Sequence, residues 1–252
     1  MATDSTIMLR RNFSQTVRNP TAVFSAILFP IVIMLMFVYV LGGAFNVGVD
    51  YIDYATPGLI VMGIAYGLSA TAVAVNSDMT KGIINRFKVM DISRGAVLTG
   101  HVVASMLRSV VAITAIIGVA FLIGFRPSAS LLDWVGVIGF IVLIAFATSW
   151  FTVALGLAAK TVESAGLATV PLIMLPFLSS AFVPADTMRT GVRQFAEYQP
   201  FTPVTQTVRA LLTSGPVGTH AIAAIAWSVG ITLASYLWAL SLYNQRRAAD
   251  PN

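Results

Sequence analysis

The chain has 252 residues, 57% hydrophobic and only 10% charged, with mean hydropathy +0.85. A soluble domain carries about 25% charged residues, so this composition excludes disorder and a soluble globular enzyme and leaves a polytopic membrane protein. The net charge of +5 marks cytoplasmic loops and anionic lipid rather than nucleic acid. The absence of cysteine excludes disulfides and thiolate metal sites.

The first segment carries Leu9, Phe13 and Val17 every four residues, with Arg11 and Arg18 opposite. It predicts a basic amphipathic helix in the headgroup plane, acting as a topology anchor or as an elbow touching a cytoplasmic partner. Asn19-Pro20 ends it, because proline disfavours helix at the preceding residue. Charge-free runs of about 20 residues then mark spans, six in all: residues 21–41, 56–76, 101–124, 134–159, 165–183 and 221–243. The third takes in Arg108, expected to extend its side chain towards the headgroups. The first run is too long for a signal peptide, and no linker or repeat divides the chain, so residues 1–252 read as one all-α transmembrane domain.

Six spans put both termini on one side. With that side cytoplasmic it holds Arg10, Arg11, Arg18, Lys81, Arg86, Lys88, Arg94, Arg108, Lys160, Arg246 and Arg247, which are 11 of the 15 basic residues. Arg126, Arg189, Arg193 and Arg209 remain outside, and the acidic residues divide evenly. Only Lys and Arg carry the topology signal, so both termini are placed in the cytoplasm.

Two further segments are not spans. Between spans two and three, Ile83, Phe87 and Met90 form one stripe of a short helix, ringed by Lys81, Arg86, Lys88 and Arg94. The spacing alone suits either a partner's groove or the bilayer surface. Towards the end of span five Pro171, Pro176 and Pro184 fall close together, then Met188, Val192 and Phe195 form a stripe and a helical pattern runs over 204–212. Two short outer helices, too short to cross, are expected there as a re-entrant hairpin or an outer cap.

Chemistry of other kinds is missing from the sequence. His101 and His220 have no acid at ligand spacing and read as interfacial residues, so neither a metal nor a catalytic site is expected. The run 154–161 lacks both glycines of the phosphate loop G-x-x-x-x-G-K-[ST]. Apart from Arg108 no ionisable residue is expected inside a span, whereas ion-coupled transport needs buried charges. Uphill transport would therefore draw its energy from another chain. Gly63 and Gly67 match GxxxG, a spacing that allows close helix approach.

Several motifs, in order along the chain, resemble the type-2 ABC export permeases, particularly the drug-exporter branch. Arg18-Asn19-Pro20 resembles the family's R-N-P entry, and the 81–94 loop its cytoplasmic segment, with Met90-Asp91 in place of the usual Thr-Pro. Ser180-Ala181-Phe182-Val183-Pro184 is similar to the signature after span five. Gln199-Pro200-Phe201-Thr202-Pro203 with Arg209-Ala210-Leu211-Leu212 resembles the N-P-x-T…R-a-L-L element, with Gln199 replacing Asn.

The resemblance implies a bacterial inner-membrane subunit that exports a hydrophobic or amphipathic small molecule, a drug or lipid-like compound, as in antibiotic efflux. The alternatives are a polysaccharide or glycolipid exporter of the same class, an intramembrane enzyme, and a channel or secondary transporter. It implies no cofactor in this chain and no enzymatic activity of its own. ATP and magnesium would be bound by two copies of a separate cytoplasmic ATPase, and the permease would pair with itself or a sister permease in the lipid bilayer. Ile83, Arg86, Phe87, Lys88, Met90 and Arg94 would form the coupling helix. Phe182, Pro184, Pro200, Pro203 and Arg209 would form the outer gate.

Overall fold

The computed structural model describes residues 20–45, 47–80 and 94–248, with side chains omitted for 20–27, 94–97, 244 and 246–248. All regular structure among these residues is helical. Helix α1 is Pro20–Leu35, continued by a π-helical turn Met36–Leu41 and a 3-10 turn Gly42–Ala44. Helices α2 (Tyr51–Tyr66) and α3 (Leu68–Thr80) form one 30-residue span interrupted at Gly67. Helix α4 is Arg94–Leu122 and α5 is Leu131–Ala158, the latter opened by a capping box between Ser130 and Asp133. Short helices α6 (Val162–Leu167) and α7 (Val170–Met174) lead into a 3-10 turn, Leu175–Leu178. Helices α8 (Thr190–Tyr198), α9 (Phe201–Leu212) and α10 (His220–Ala248) complete the chain.

Four helical stretches are long and apolar enough to cross a membrane: Tyr51–Thr80, Leu98–Leu122, Leu131–Ala158 and His220–Tyr243. They match the second, third, fourth and sixth expected spans. The expected fifth span, 165–183, is not one helix. Pro171 and Pro176 each lack a backbone donor, and the segment breaks into α6, α7 and the 3-10 turn before leaving helical geometry altogether. The expected stripe at Met188, Val192 and Phe195 falls partly on α8, and the 204–212 pattern on α9. The segment holding Leu9, Arg11, Phe13, Val17 and Arg18 lies outside the described residues, as do Ile83, Arg86, Phe87, Lys88 and Met90.

Hydrogen bonds fix which helix ends lie together. The Arg126 amide donates to Asp53 at 3.4 Å, and the Ser214 hydroxyl to the Ser128 carbonyl at 2.8 Å. The turns at 45–51, 122–131 and 212–220 therefore share one end, here termed upper. Thr80, Arg94 and Ala158 belong to the lower end.

The interior is layered. An upper apolar cluster includes Met34, Leu59, Ile64, Ile116, Phe125, Ile144 and Phe201. A lower one includes Val75, Leu98, Val102, Trp150, Val153, Leu157 and Tyr243. Between them in sequence on α3, α4, α5 and α10 fall the buried residues Thr71, Ser105, Ser109, Thr148, Ser149, Ser228 and Ser235. A polar layer thus crosses the bundle between two apolar ones.

Close backbone approach depends on glycine at two places above all. A Cβ on Gly58 would come within 2.5 Å of the Ala181 Cβ, and one on Gly156 within 2.7 Å of the Ala72 carbonyl oxygen. Gly63 of the GxxxG match faces Ile116 of α4, 2.6 Å from where its Cβ would be, whereas Gly67 ends α2.

Candidate functional site: an upper clamp and a lower polar seam

The upper site forms around backbone that is not helical. Ser179, Ser180, Ala181 and Phe182 are all buried. The Ser179 and Ala181 amides are satisfied locally by the Pro176 carbonyl and the Ser179 hydroxyl, and the carbonyls of Ser180, Ala181 and Phe182 by side chains of other helices. Non-helical backbone survives in such a setting only where protein shelters its polar groups. The Tyr51 hydroxyl donates to the Phe182 carbonyl at 3.0 Å and the Tyr54 hydroxyl to the Ser180 carbonyl at 3.1 Å. The Ser180 amide donates to the Thr202 hydroxyl at 3.2 Å, and Gln206 to the Ser180 hydroxyl at 3.0 Å.

Arg209 closes this arrangement from α9. Its Nη2 donates to the carbonyls of Ser180 at 2.9 Å, Ala181 at 3.3 Å and Tyr54 at 3.1 Å, and its Nε also reaches Tyr54 at 3.2 Å. Nη1 donates to Gln206 at 3.0 Å, and the guanidinium lies 3.9 Å from the Tyr54 ring centre. Burial pushes the Arg209 pKa down, and the contacts with Tyr54 oppose that shift. An arginine nevertheless keeps its charge in a protein, so a cation is held among carbonyl dipoles and an aromatic face.

The other expected gate residues fall nearby. Phe182 is buried and stacks on Phe37 at 4.3 Å and Phe177 at 5.4 Å, tying the segment to the end of the first helix. Pro184 precedes a 3-10 turn, its carbonyl accepting from the Thr187 hydroxyl at 2.7 Å. Pro200 precedes α9, and Pro203 is buried within it. The Gln199 side chain accepts from the Phe201 amide at 3.0 Å and donates to Thr202 at 3.2 Å, fixing the start of α9. Helix α8 behaves differently: Val192 and Phe195 are about half exposed, so its apolar stripe is not packed into the bundle.

The lower site corrects two expectations. His101 was expected at the interface without an acid; instead it is buried on α4, with Nε2 3.3 Å from Asp78 Oδ2 on α3. The acid is 23 residues away in sequence, on a helix that runs further than expected, to Thr80. Arg108 was expected to reach the headgroups. It sits near the middle of the apolar stretch Leu98–Leu122 and turns inward, donating to the Thr71 hydroxyl at 2.8 Å. The reason is the polar layer, which offers the guanidinium a partner inside the protein. Ionisable side chains therefore do lie within the spans. His220 begins α10 and is exposed.

Asn76 joins this seam to the fourth span. Its Nδ2 donates to the Gly156 carbonyl at 3.1 Å and the Ala159 carbonyl at 2.7 Å, satisfying groups left open where α5 ends. The hydroxyls of Ser105, Ser109 and Ser149 are buried in the same layer without a hydrogen-bond partner among the described residues. Among the described residues, no three His, Asp or Glu side chains gather as metal ligands would. Of the expected coupling residues, Arg94 opens α4, its side chain undescribed.

Residues 3–213 match the family model described as ABC-2 type transporter. The chain belongs to this family. It is 29% identical over 216 residues to a daunorubicin resistance ABC transporter permease protein of Streptomyces coeruleorubidus, covering 85% of this chain and 74% of that one. It is 28% identical over 230 residues to a probable doxorubicin resistance ABC transporter permease protein of Mycobacterium tuberculosis, covering 89% and 82%. The chain is thus an ABC-2 permease and a multi-pass membrane protein, similar to permeases named for drug resistance. In this chain the upper clamp and the lower seam lie on the two halves of one stretch, α2 above Gly67 and α3 below it.

Proposed function

We propose that this permease is the membrane subunit of an ATP-driven exporter that moves hydrophobic or amphipathic small molecules out of the cell. What carries this reading is the likeness to drug-resistance permeases, which runs through 85% of the chain. In this reading the chain crosses the membrane six times as one domain, 1–252, with both termini in the cytoplasm and the upper end outside. The first and fifth crossings would use the shorter apolar stretches Leu28–Ala44 and Val162–Leu178.

ATP and magnesium belong to two copies of a cytoplasmic ATPase, and two permease subunits, identical or sister chains, enclose the path. Ile83, Arg86, Phe87, Lys88, Met90 and Arg94 meet the ATPase. The clamp of Arg209, Tyr54 and the Ser180–Pro184 segment roofs the outer end, where Phe182, Pro200 and Pro203 set its shape. The carbonyls of Ser180, Ala181 and Phe182, all held by side chains of α2 and α9, support that role, because movement of those helices would reposition the roof. The N-terminal segment with Leu9, Arg11, Phe13, Val17 and Arg18 lies on the inner leaflet.

The test is co-expression with a candidate ABC ATPase in a drug-sensitive bacterial host, followed by purification of the tagged permease and a measurement of anthracycline retention in cells. Co-purification of the ATPase with lowered retention supports the reading. A permease that lowers retention equally when the ATPase is omitted contradicts it.

A further inference from the structure

Asp78 and His101 meet at 3.3 Å, with side chains only 10% and 6% exposed. Thr71 and Arg108 meet at 2.8 Å. Asp78 and Thr71 are seven residues apart on α3, and His101 and Arg108 are seven apart on α4, which runs the opposite way. Seven residues are two helical turns, about 10.5 Å of rise, so the two contacts are rungs of one ladder and come into register together. Between them Ser105 is fully buried, and above them the Ser109 hydroxyl lies 3.8 Å from where a Cβ on Gly67 would be, at the break between α2 and α3. Leu98 and Val102, which flank His101, and Val75 of α3 are buried in the lower apolar cluster. The lower rung is therefore shielded from water, where an ion pair or charged hydrogen bond is strongest and its loss most costly.

We propose that Asp78 and His101 are a positioning pair: a clasp that locks the lower ends of α3 and α4 in one register, so that a displacement imposed there moves both helices together. An apolar seam tolerates sliding, since any packed neighbour substitutes for another. A two-rung polar ladder does not, because a shift of one residue breaks both rungs at once. Asn76, bonded to α5 from another face of α3, extends the locked unit to a third helix. The functional part of this proposal rests on the reading of the chain as an ATP-driven permease. The clasp itself does not.

The test uses the cysteine-free chain with Thr80→Cys and Thr99→Cys, both exposed, carrying spin labels, purified alone and in complex with its ATPase. The paired substitution Asp78→Leu with His101→Leu removes both members of the clasp at once, which costs less than leaving one of them buried alone, and a monodisperse detergent-purified variant shows that folding is retained. The reversed pair, Asp78→His with His101→Asp, restores it. Expected are one narrow label–label distance in the parent chain, a broadened distribution in the double-leucine variant, and recovery in the reversed pair. In vesicles, substrate moved per ATP hydrolysed should fall on the order of 2- to 30-fold in the double-leucine variant and recover with the reversed pair. An unchanged distance distribution in the double-leucine variant overturns the clasp. A broadened distribution with unchanged coupling in the complex upholds the clasp and overturns the claim that it carries the transport stroke. Failure of the permease to assemble with the ATPase counts against the exporter reading and leaves the distance measurement to decide the clasp.

Discussion

Arg209 lies with its guanidinium 3.9 Å from the centre of the Tyr54 ring while donating to the carbonyl oxygen of that same residue. One arginine thereby binds both the ring and the backbone of α2, while Nη2 also reaches Ser180 and Ala181 and Nη1 donates to Gln206. Lysine cannot reproduce this fork. Arg209→Lys should lower the unfolding midpoint in detergent and abolish most export, with a cost of about 2–3 kcal/mol for charged hydrogen bonds lost in a buried site. Tyr54→Phe keeps the ring and the carbonyl and loses only the bond to Ser180, so it should cost about 0.5–1.5 kcal/mol. Equal effects of the two substitutions would show that the guanidinium does not organise the clamp.

Gly58 and Gly156 mark the tightest backbone approaches. Gly58→Ala and Gly156→Ala should each destabilise by about 1–3 kcal/mol through overpacking, because the atoms they meet include backbone, which cannot swing aside. Gly139→Ala, where a Cβ meets nothing within 4 Å, serves as the control and should be neutral or slightly stabilising in a thermal melt.

Asn76→Ala should lower stability by about 1–3 kcal/mol, since it strips a donor from two carbonyls at the end of α5. Asn76→Asp should be at least as damaging, because a carboxylate would face those carbonyl oxygens. Thermal melts of the purified variants decide this, and an Asp variant as stable as the parent would show that Asn76 does not hold the end of α5.

Much of this was legible in the sequence, and what was not has a common cause. Charge-free runs located the four long spans because length and apolarity are local properties. Proline spacing marked the chain beyond the fifth span as irregular but left 165–183 as one span, which Pro171 and Pro176 break into short helices, and the stripe at Val192 and Phe195 marked α8. The motif around Arg209 was visible, but its hold on Tyr54 was not, since the partners stand 155 residues apart. The Asp78–His101 pair escaped notice for a similar reason. Ligand spacing along the chain says nothing about two antiparallel helices, and Asp78 reads as a loop residue until α3 is seen to reach Thr80. The seven-residue spacing of Thr71 and Asp78, matched by His101 and Arg108, was the available signal. Arg108 was misjudged because its inward partner is a threonine, which carries no charge to advertise the pairing.

Topology offers an independent check on the charge distribution. Single cysteines replacing Arg189 and Arg246 should react differently with an impermeant maleimide in intact cells, Arg189→Cys labelling and Arg246→Cys only after lysis. The reverse pattern would invert the orientation.

The segment between α3 and α4 is expected to meet the ATPase, with Phe87 as its anchor. Phe87→Ala should leave expression and insertion intact while weakening ATPase retention, on the order of 2 kcal/mol for a buried aromatic anchor. Lys88→Ala should act mildly and in a salt-dependent manner. Retention unchanged by Phe87→Ala would favour a helix resting on the bilayer, whose affinity is spread over many residues.

The central claim is that export by this chain is powered by ATP hydrolysed in a partner. The most direct measurement is uptake of a fluorescent anthracycline into inverted vesicles holding the permease with its ATPase, with ATP supplied and ion gradients collapsed. The account predicts uptake that requires ATP and disappears when the phosphate-binding lysine of the ATPase is replaced. Uptake by the permease alone, driven by a proton or sodium gradient and indifferent to ATP, would contradict it.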